Sequence, residues 1–255
     1  MTFRKLLTTP GVKVGTMITE FATPGIGYIL KEATLDYAFL DMEHSGFGID
    51  TLKSTLRYFE AAGLPVIVRP PSKSQHHISR ALDAGAEALL LPMVGSCAEA
   101  AELAARMKYP PLGKRGVGLG MAHDKYSGGG PKAKLKALNR RNVFIALIET
   151  VDGLQNVEAI AKTKGVDGLW IGHFDLSTSM GIAGEFTNRR FTAALKRIGQ
   201  AASDNNIPVG QLVPTVAEAT KRYRQGAEII CYSGDAGLLQ TAAREGAAQI
   251  RAKCK

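Results

Sequence analysis

Short, continuous apolar runs alternate along the chain with longer segments in which apolar residues recur every three or four positions. The apolar runs cover residues 14–20, 37–43, 65–70, 88–94, 143–150, 168–175, 208–213 and 228–235. Continuous apolar character is typical of parallel strands that are buried on both faces. The segments with helical spacing are residues 49–62, 74–84, 96–108, 152–164, 189–205 and 215–225. These strand–helix repeats predict an α/β fold, a (β/α)₈ TIM barrel, formed by residues 1–255 as a single domain.

The composition agrees with such a barrel. The chain has 255 residues, of which 45% are hydrophobic and 28 are glycine. No apolar stretch approaches the ~20 residues of a membrane span, and the first residues lack the pattern of a secretory leader. Cys97, Cys231 and Cys254 lack the spacing of metal or redox motifs, which is typical of reduced thiols. We therefore expect a cytoplasmic protein without a membrane partner.

The formal net charge is +9 at pH 7. Basic residues are densest at 132–141, but no aromatic residues are interleaved with them and no nucleic-acid recognition motif is present. A solvated helix face explains this density, so we expect no nucleic-acid partner. The excess positive charge could instead steer small anionic substrates toward a site.

Two acidic residues end neighbouring predicted strands. Glu149 closes the fifth apolar run and Asp175 closes the sixth, with one helix-length segment between them. In a βαβ unit both carboxylates emerge at the same carboxyl edge of the sheet, where active sites are built. Hard divalent cations such as Mg²⁺ take carboxylate oxygens and keep positions open for water and substrate. The pair predicts a divalent-metal site, although each carboxylate could also be a solvated loop acid or a helix cap.

The second and third predicted strands end in further ionisable residues. Asp41, Glu43 and His44 fall within four positions, and a carboxylate beside a histidine can orient the ring for proton transfer. Arg69 closes an apolar strand, so its charge must emerge at the edge or carry a partner. Its planar fork matches a carboxylate or an enolate oxygen, and a salt bridge to Glu43 or Glu149 is the structural alternative.

The apolar runs themselves contain no lysine. Schiff-base catalysis on a barrel needs a partly desolvated lysine that projects into the active-site end of a strand. A metal-assisted enolate mechanism is therefore favoured over an imine.

Two connections differ from the rest. Residues 109–142 form a connection too long for a simple turn, and Arg115 lies there among glycines that expose backbone amides to an anion. This length is typical of a lid, a binding loop or an oligomer contact, and the alternative is a surface excursion without function. Residues 232–237 follow the eighth strand, where barrels often bind phosphate, so a phosphorylated or CoA-linked substrate stays open.

Six segments resemble the HpcH/HpaI aldolase family. They are Leu-Asp-Met-Glu-His at 40–44, Val-Arg-Pro at 68–70, Leu-Pro-Met-Val at 91–94, the stretch 109–118, Ile-Glu-Thr at 148–150 and Ile-Gly-His-Phe-Asp-Leu-Ser at 171–177. They occur in order over nearly the whole chain. The family comprises metal-dependent pyruvate aldolases, such as 4-hydroxy-2-oxoheptane-1,7-dioate aldolase and 2-dehydro-3-deoxyglucarate aldolase. The resemblance implies a barrel whose last helix is swapped between subunits, commonly in a trimer of dimers.

The resemblance also implies roles for individual residues. Glu149 and Asp175 would bind a divalent metal ion, namely Mg²⁺, Mn²⁺ or Co²⁺. His44, paired with Asp41, would be the acid/base, and Arg69 would steady the enolate.

Further residues would hold the substrate or meet a neighbouring subunit. The family binds the pyruvate carboxylate on backbone amides of a Gly-Pro-Ala-Asp turn, which corresponds here to Gly172, His173, Phe174 and Asp175. Leu147 and Leu212 would also contact the substrate. Asp83 matches a position that reaches into a neighbouring subunit's site, and Arg115 is a second candidate for that contact.

The sequence departs from the family at the floor of the pocket. Leu147 stands where well-studied members have a substrate-contacting glutamine, and His173-Phe174 replaces Pro-Ala. These changes predict a more apolar pocket and leave the acceptor aldehyde open.

We therefore expect a lyase that reversibly cleaves a 4-hydroxy-2-oxo acid to pyruvate, or a close 2-oxo acid, and an aldehyde. One alternative is a related lyase or decarboxylase that forms an enolate on a phosphorylated or CoA-linked substrate. A second is a barrel that binds a metabolite without turnover.

Overall fold

The computed structural model describes residues 1–254, in which parallel strands close into a barrel in sequence order. The strands are β1 (Lys13–Ile18), β2 (Tyr37–Asp41), β3 (Val66–Arg69), β4 (Ala88–Leu91), β5 (Val143–Ile148), β6 (Gly168–Ile171), β7 (Val209–Val213) and β8 (Ala227–Gly234). Each strand pairs with its neighbours in sequence, and β8 closes on β1. The predicted TIM barrel is confirmed, and each predicted strand is present.

Helices surround the barrel and connect its strands. They are α1 (Phe3–Leu7), α2 (Ile26–Glu32), α3 (Ile49–Ala61), α4 (Gln75–Asp83), α5 (Cys97–Met107), α6 (Pro131–Arg141), α7 (Val151–Gln155), α8 (Val157–Ala161), α9 (His173–Ser179), α10 (Arg189–Asp204), α11 (Val216–Arg224) and α12 (Asp235–Lys253). Several begin at a residue whose side-chain hydroxyl accepts a hydrogen bond from the backbone N–H three positions later. Ser96 caps α5 in this way, and Thr215 caps α11.

Three predicted boundaries are wrong. The segment 152–164 is not one helix, because α7 and α8 meet at Asn156. The sixth strand ends at Ile171 rather than at Asp175, since α9 begins at His173. β1 starts at Lys13, so the strands do contain one lysine. It lies at the amino end of β1, where its Nζ pairs with Glu228 at 3.3 Å, so it is remote from the carboxyl edge.

The alternation of strand side chains creates two buried layers. One layer fills the barrel interior and contains Tyr37, Phe39, Ile67, Leu90, Ile145, Leu147, Trp170 and Ile229. Phe3 and Leu6 of α1 join this layer and close the amino end, where Phe3 meets Tyr37 edge-on at 5.9 Å. The other layer packs the strands against the helices. Every second side chain of a strand points into the barrel. A polar residue at the next such position, at the carboxyl end of the strand, therefore faces the mouth of the barrel.

α12 differs from the other long helices. Of its residues, which the structure describes throughout, only Asp235 is buried. Leu239 and Ile250 are 58% and 63% exposed. Most of this helix therefore lacks a packing partner within the chain. Among residues 1–254, no helix combines the length and the apolar character that crossing a membrane requires.

Candidate active site

The carboxyl ends of the strands surround a cavity of about 380 Å³. Asp41, Arg69 and Glu149 line it from β2, β3 and the end of β5, each two positions after an apolar interior residue. The other predicted site residues that line the cavity are His44, Leu147, Gly172, His173, Phe174, Asp175 and Leu212. The structure thus brings together the predicted catalytic, metal-binding and substrate-binding residues.

Glu149 is buried, and a strained backbone segment holds it. Its Oε1 accepts a hydrogen bond of 2.7 Å from the backbone N–H of Met93. Met93 has a φ of 49°, in the left-handed region that residues other than glycine seldom adopt. The Lys73 ammonium donates to the Met93 carbonyl oxygen at 2.7 Å and also pairs with Glu99. Lys73 therefore stabilises the conformation that directs the Met93 N–H at Glu149.

The surroundings of Glu149 favour a bound cation. Burial, together with the charges of Asp175 and Glu43, raises the pKa of Glu149 to about 7, against the opposing effects of the Met93 hydrogen bond and the Arg69 charge. A carboxylate among other carboxylates is stabilised by either a proton or a cation. Within residues 1–254, no group of three or more His, Cys, Asp or Glu side chains is arranged to hold a metal. The two carboxylates of Glu149 and Asp175 fit a hard divalent ion that takes its remaining ligands from water and substrate.

Asp175 reaches the mouth from a helix rather than from a strand end. It lies in the first turn of α9, whose N-cap residue Gly172 provides no side-chain hydrogen bond to the backbone amides. A Cβ at Gly172 would lie 2.5 Å from Glu149 Oε2. Glycine is therefore required at this position, because no side chain fits between the α9 backbone and the Glu149 carboxylate.

Arg69 is held by two carboxylates. Its Nε and Nη2 donate to the two oxygens of Asp41 at 2.8 and 2.6 Å, and its Nη1 lies 3.1 Å from Glu43 Oε2. Burial alone would lower the pKa of Arg69, but the Asp41 hydrogen bond and the two acidic charges raise it above its usual value. Arg69 is thus a fixed cation, and the salt bridge to Glu43 considered as a structural alternative is formed.

The predicted pairing of His44 with Asp41 is wrong in this structure. The carboxylate of Asp41 binds Arg69 and also accepts the backbone N–H of Glu43 at 3.0 Å. His44 lines the cavity and is exposed. Its imidazole is therefore accessible to substrate or water, but Asp41 does not orient it.

The floor of the cavity is apolar. Leu147 is 2% exposed and lies in the interior layer with Phe39, Trp170 and Leu212. Trp170 packs edge-on against Phe39 at 5.6 Å and covers Gly210, where a Cβ would meet the indole at 2.1 Å. The structure thus agrees with the apolar floor that Leu147 predicted.

Asp83, the last residue of α4, contacts Arg115 of the long connection between β4 and β5. The Arg115 side chain is 1% exposed, its Nη2 lies 2.5 Å from Asp83 Oδ1, and its guanidinium stacks 4.5 Å from the centre of the Tyr109 ring. Such a buried cation is not available as an anion contact in this conformation, and a contact of Arg115 with a neighbouring subunit stays a prediction. The Asp83 side chain keeps 32% exposure, and its contact with a neighbouring subunit stays a prediction.

The turn after β8 contains an acidic residue, Asp235, that binds the loop after β1. The Asp235 carboxylate accepts backbone N–H groups of Thr19, Glu20, Phe21 and Ala236 at 2.8–3.2 Å. Burial alone would raise the pKa of Asp235, but these donors hold it below its usual value. Three of these amides belong to the loop after β1, and only that of Ala236 belongs to the turn at 232–237. The alternative of a phosphorylated substrate at this turn stays a prediction.

Four residues near the site were not among the predicted ones. Met93 and Lys73 hold Glu149, while Phe186 and Gln211 lie on the far side of His173 and Phe174. The position of Met93 near the end of the fourth apolar run, residues 88–94, is a usable signal for a residue at the carboxyl edge. The other three have no local pattern that indicates a site.

Comparisons with known proteins agree with this geometry. The model of the HpcH/HpaI aldolase/citrate lyase family matches residues 21–242. The chain is 30% identical to 5-keto-4-deoxy-D-glucarate aldolase of Klebsiella pneumoniae subsp. pneumoniae over 244 residues, which cover 95% of this chain and 94% of that protein. It is 32% identical to hydroxypyruvate/pyruvate aldolase of Chromohalobacter salexigens over 225 residues, which cover 88% of each.

A solved structure agrees over the full fold. The crystal structure of an HpcH/HpaI aldolase from Desulfitobacterium hafniense superimposes with a TM-score of 0.92 at 30% identity, covering 98% of this chain and 97% of that one. The resemblance seen in the sequence motifs is confirmed, and the chain belongs to the HpcH/HpaI aldolase/citrate lyase family.

Proposed function

We propose that this chain is a divalent-metal-dependent aldolase that reversibly cleaves 4-hydroxy-2-oxo acids to pyruvate, or a close 2-oxo acid, and an aldehyde. The observation that carries the proposal is the buried Glu149 carboxylate, whose pKa is raised to about 7, facing Asp175 in a cavity that also contains the fixed Arg69 cation. Family membership and the two aldolase relatives support the same reaction class.

The metal would be held by Glu149 and Asp175, and the preferred ion would be Mg²⁺, Mn²⁺ or Co²⁺. When bound, it supplies Lewis-acid stabilisation of the negative charge that develops on the oxygen of a 2-oxo acid. The Met93 N–H fixes the orientation of Glu149, so the carboxylate is positioned before the ligand arrives.

Arg69 would stabilise the enolate oxygen. Its guanidinium is already oriented by Asp41 and Glu43, so little reorganisation accompanies the reaction. The uncapped backbone N–H groups at the start of α9, from His173 to Asp175, would receive the substrate carboxylate. His44 would accept the proton of the 4-hydroxyl directly or through water, since it is exposed at the mouth of the cavity.

We also propose that the protein is a cytoplasmic homo-oligomer, a trimer of dimers, in which α12 packs on a neighbouring subunit. The exposed Leu239 and Ile250 support this, because they have no partner in their own barrel. Replacing both by glutamate should dissociate the oligomer in light scattering, whereas Val216→Glu, at an exposed apolar residue of α11, should not. An unchanged molar mass for the double variant would contradict the role of α12.

Removal of the metal tests the reaction. The protein is dialysed against a chelator, and pyruvate release from a 4-hydroxy-2-oxo acid is followed before and after adding back Mg²⁺, Mn²⁺ or Co²⁺. We expect turnover to vanish with the metal and to return with it. Turnover that persists without metal would overturn metal dependence, and substrate binding without turnover at any metal would overturn the aldolase assignment.

A further inference from the structure

A second cavity of about 450 Å³ adjoins the candidate active site on the side of β6 and β7. The two cavities share Met17, His173, Phe174 and Leu212 as lining residues. The second cavity, called the annex below, thus begins where the active-site cavity ends. Its volume falls within the range of small-molecule sites, which runs from roughly 300 to 1,000 Å³.

Aromatic rings form one wall of the annex. His173, Phe174 and Phe186 contact one another, with ring centroids 4.5 to 5.3 Å apart, and Phe186 packs in turn on the buried Phe191. Phe174 is 62% exposed in spite of these contacts. A rigid cluster of rings that leaves one ring open to a cavity is suited to bind an aromatic group through edge-to-face or offset contacts.

The annex also contains a buried polar side chain without a hydrogen-bond partner. Gln211 lines the annex from β7 and is 2% exposed, yet its side-chain oxygen has no hydrogen-bond partner. A buried amide oxygen without a partner is costly, and most such groups in native proteins are paired. Arg222 also lines the annex. Its Nη2 and Nη1 bind Glu218 and Gln225, and its buried Nε, like the Gln211 oxygen, has no partner.

The annex therefore offers an aromatic wall and one buried hydrogen-bonding amide next to the reacting groups. Resting on the proposed aldolase reaction, we propose that the annex binds the substituent of the acceptor aldehyde and selects an aryl group that carries a hydroxyl. The aldehyde carbon lies in the active-site cavity, the ring lies against Phe174 and Phe186, and the hydroxyl hydrogen-bonds with Gln211. A phenolic hydroxyl both donates and accepts, so it satisfies either orientation of the amide.

The test compares acceptors of three kinds with pyruvate and metal held constant. They are acetaldehyde, benzaldehyde and 4-hydroxybenzaldehyde. We expect Phe186→Leu to lower the kcat/KM ratio of benzaldehyde to acetaldehyde by about tenfold, since it removes one ring of the wall. We expect Gln211→Leu to lower the ratio of 4-hydroxybenzaldehyde to benzaldehyde by about fivefold, the effect of one neutral hydrogen bond. Tyr223→Leu, at an exposed ring of α11 outside both cavities, should change neither ratio.

Thermal denaturation separates binding from folding. If Gln211 served the fold, its replacement by leucine would lower the melting temperature, whereas removing an unpaired buried amide should leave it unchanged or raise it. Unchanged acceptor ratios in both Phe186→Leu and Gln211→Leu would overturn the proposal.

Binding of a non-reactive probe separates this proposal from the proposed function. 4-Hydroxybenzyl alcohol is titrated into the metal-loaded protein without pyruvate and followed by calorimetry. Binding that Phe186→Leu and Gln211→Leu both weaken supports the annex, even if no acceptor is turned over, an outcome that would overturn the aldolase reaction alone. Turnover of all three aldehydes together with probe binding that neither variant affects would overturn the annex and leave the aldolase reaction intact.

Discussion

The two sides of the barrel mouth differ in how their polar groups are satisfied. On the side of β2, β3 and β5, Asp41, Glu43 and Arg69 form a closed set of ion pairs, and Glu149 receives the Met93 N–H. On the side of β6 and β7, Phe174 is largely exposed and the buried Gln211 oxygen has no partner. The charged side is arranged before any ligand arrives, which suits groups that stabilise developing charge. The exposed ring and the unpaired oxygen of the aromatic side gain partners only when a ligand binds. This suits a site for the part of a substrate that varies.

The start of α9 joins the two sides. Asp175 faces the charged side, where its charge raises the pKa of Glu149, while the preceding residue, Phe174, belongs to the aromatic side. The proposed metal ligand Asp175 and the proposed acceptor contact Phe174 are therefore adjacent in the chain. The following variants test the two sides separately.

The largest effect is expected at the metal-binding carboxylates. Glu149→Gln or Asp175→Asn should reduce pyruvate release by on the order of 10³-fold for every acceptor, because a single protein carboxylate is left on the ion. Calorimetry with Mn²⁺ should show that binding is lost in the same variants. Glu158→Gln, at an exposed salt bridge with Arg197, is the control and should behave as the wild type. Full metal-stimulated turnover by a Glu149 variant would show that the charged side does not take part in the reaction.

Arg69→Lys should reduce turnover by about 10²-fold although the charge is kept. A lysine ammonium is a point charge and cannot reproduce the planar fork that binds both oxygens of Asp41 and also reaches Glu43. The acceptor ratios should stay constant, because the aromatic side is untouched. Arg197→Lys, at an exposed pair in which two guanidinium nitrogens bind Glu158, provides the matched control. Activity close to that of the wild type would mean that Arg69 serves only the local ion pairs.

Lys73→Met should weaken Mn²⁺ binding by about 10- to 100-fold, as is typical when a residue that orients a metal ligand is lost. The variant no longer holds the Met93 carbonyl oxygen, so the left-handed Met93 is free to relax and to withdraw its N–H from Glu149. Lys73→Arg should restore much of the affinity. Lys114→Met removes a more exposed lysine that pairs with Glu102 and should leave the affinity unchanged. Equal affinities for all variants would show that Glu149 is oriented without this loop.

The smallest effect is expected at the floor between the two sides. Leu147→Gln should shift the kcat/KM ratio toward succinic semialdehyde and away from benzaldehyde by about tenfold, since it adds an amide beside the acceptor. It should also destabilise the fold by about 1–3 kcal/mol, because the new amide is buried against Phe39 and Trp170. Leu147→Met conserves volume and should do neither. A wild-type enzyme that already strongly prefers succinic semialdehyde would show that charge recognition comes from elsewhere, such as a neighbouring subunit.

Much of the fold was predictable because parallel strands buried on both faces leave an unmistakable apolar run. The polar residues at the end of such a run then lie at the carboxyl edge, which is why Asp41, Arg69 and Glu149 could be grouped from sequence. The pairing of Arg69 with Asp41 needed the register of two strands, in which these residues are direct Cα partners. A single run contains no information on register, so the sequence favours the neighbouring His44 as the partner of Asp41 instead.

The aromatic side was harder to predict for a related reason. Phe174 extends the sixth apolar run, although its ring is exposed and its backbone is helical. Hydrophobic pattern alone cannot distinguish an apolar residue that continues a strand from one that is exposed and available to bind a ligand. Phe186 and Gln211 come from two other segments, and only the closed barrel brings them to Phe174.

The anchoring of Asp235 has a mechanical consequence for assembly. Asp235 is the first residue of α12, and the backbone amides of the loop after β1 clamp it from one side. The 19 residues of α12 make a lever about 28 Å long, so a tilt of about 10° at this root would carry the free end by about 5 Å. The loop that grips Asp235 includes Thr19, which also lines the active-site cavity. A substrate that displaces this loop would therefore move the far end of the helix.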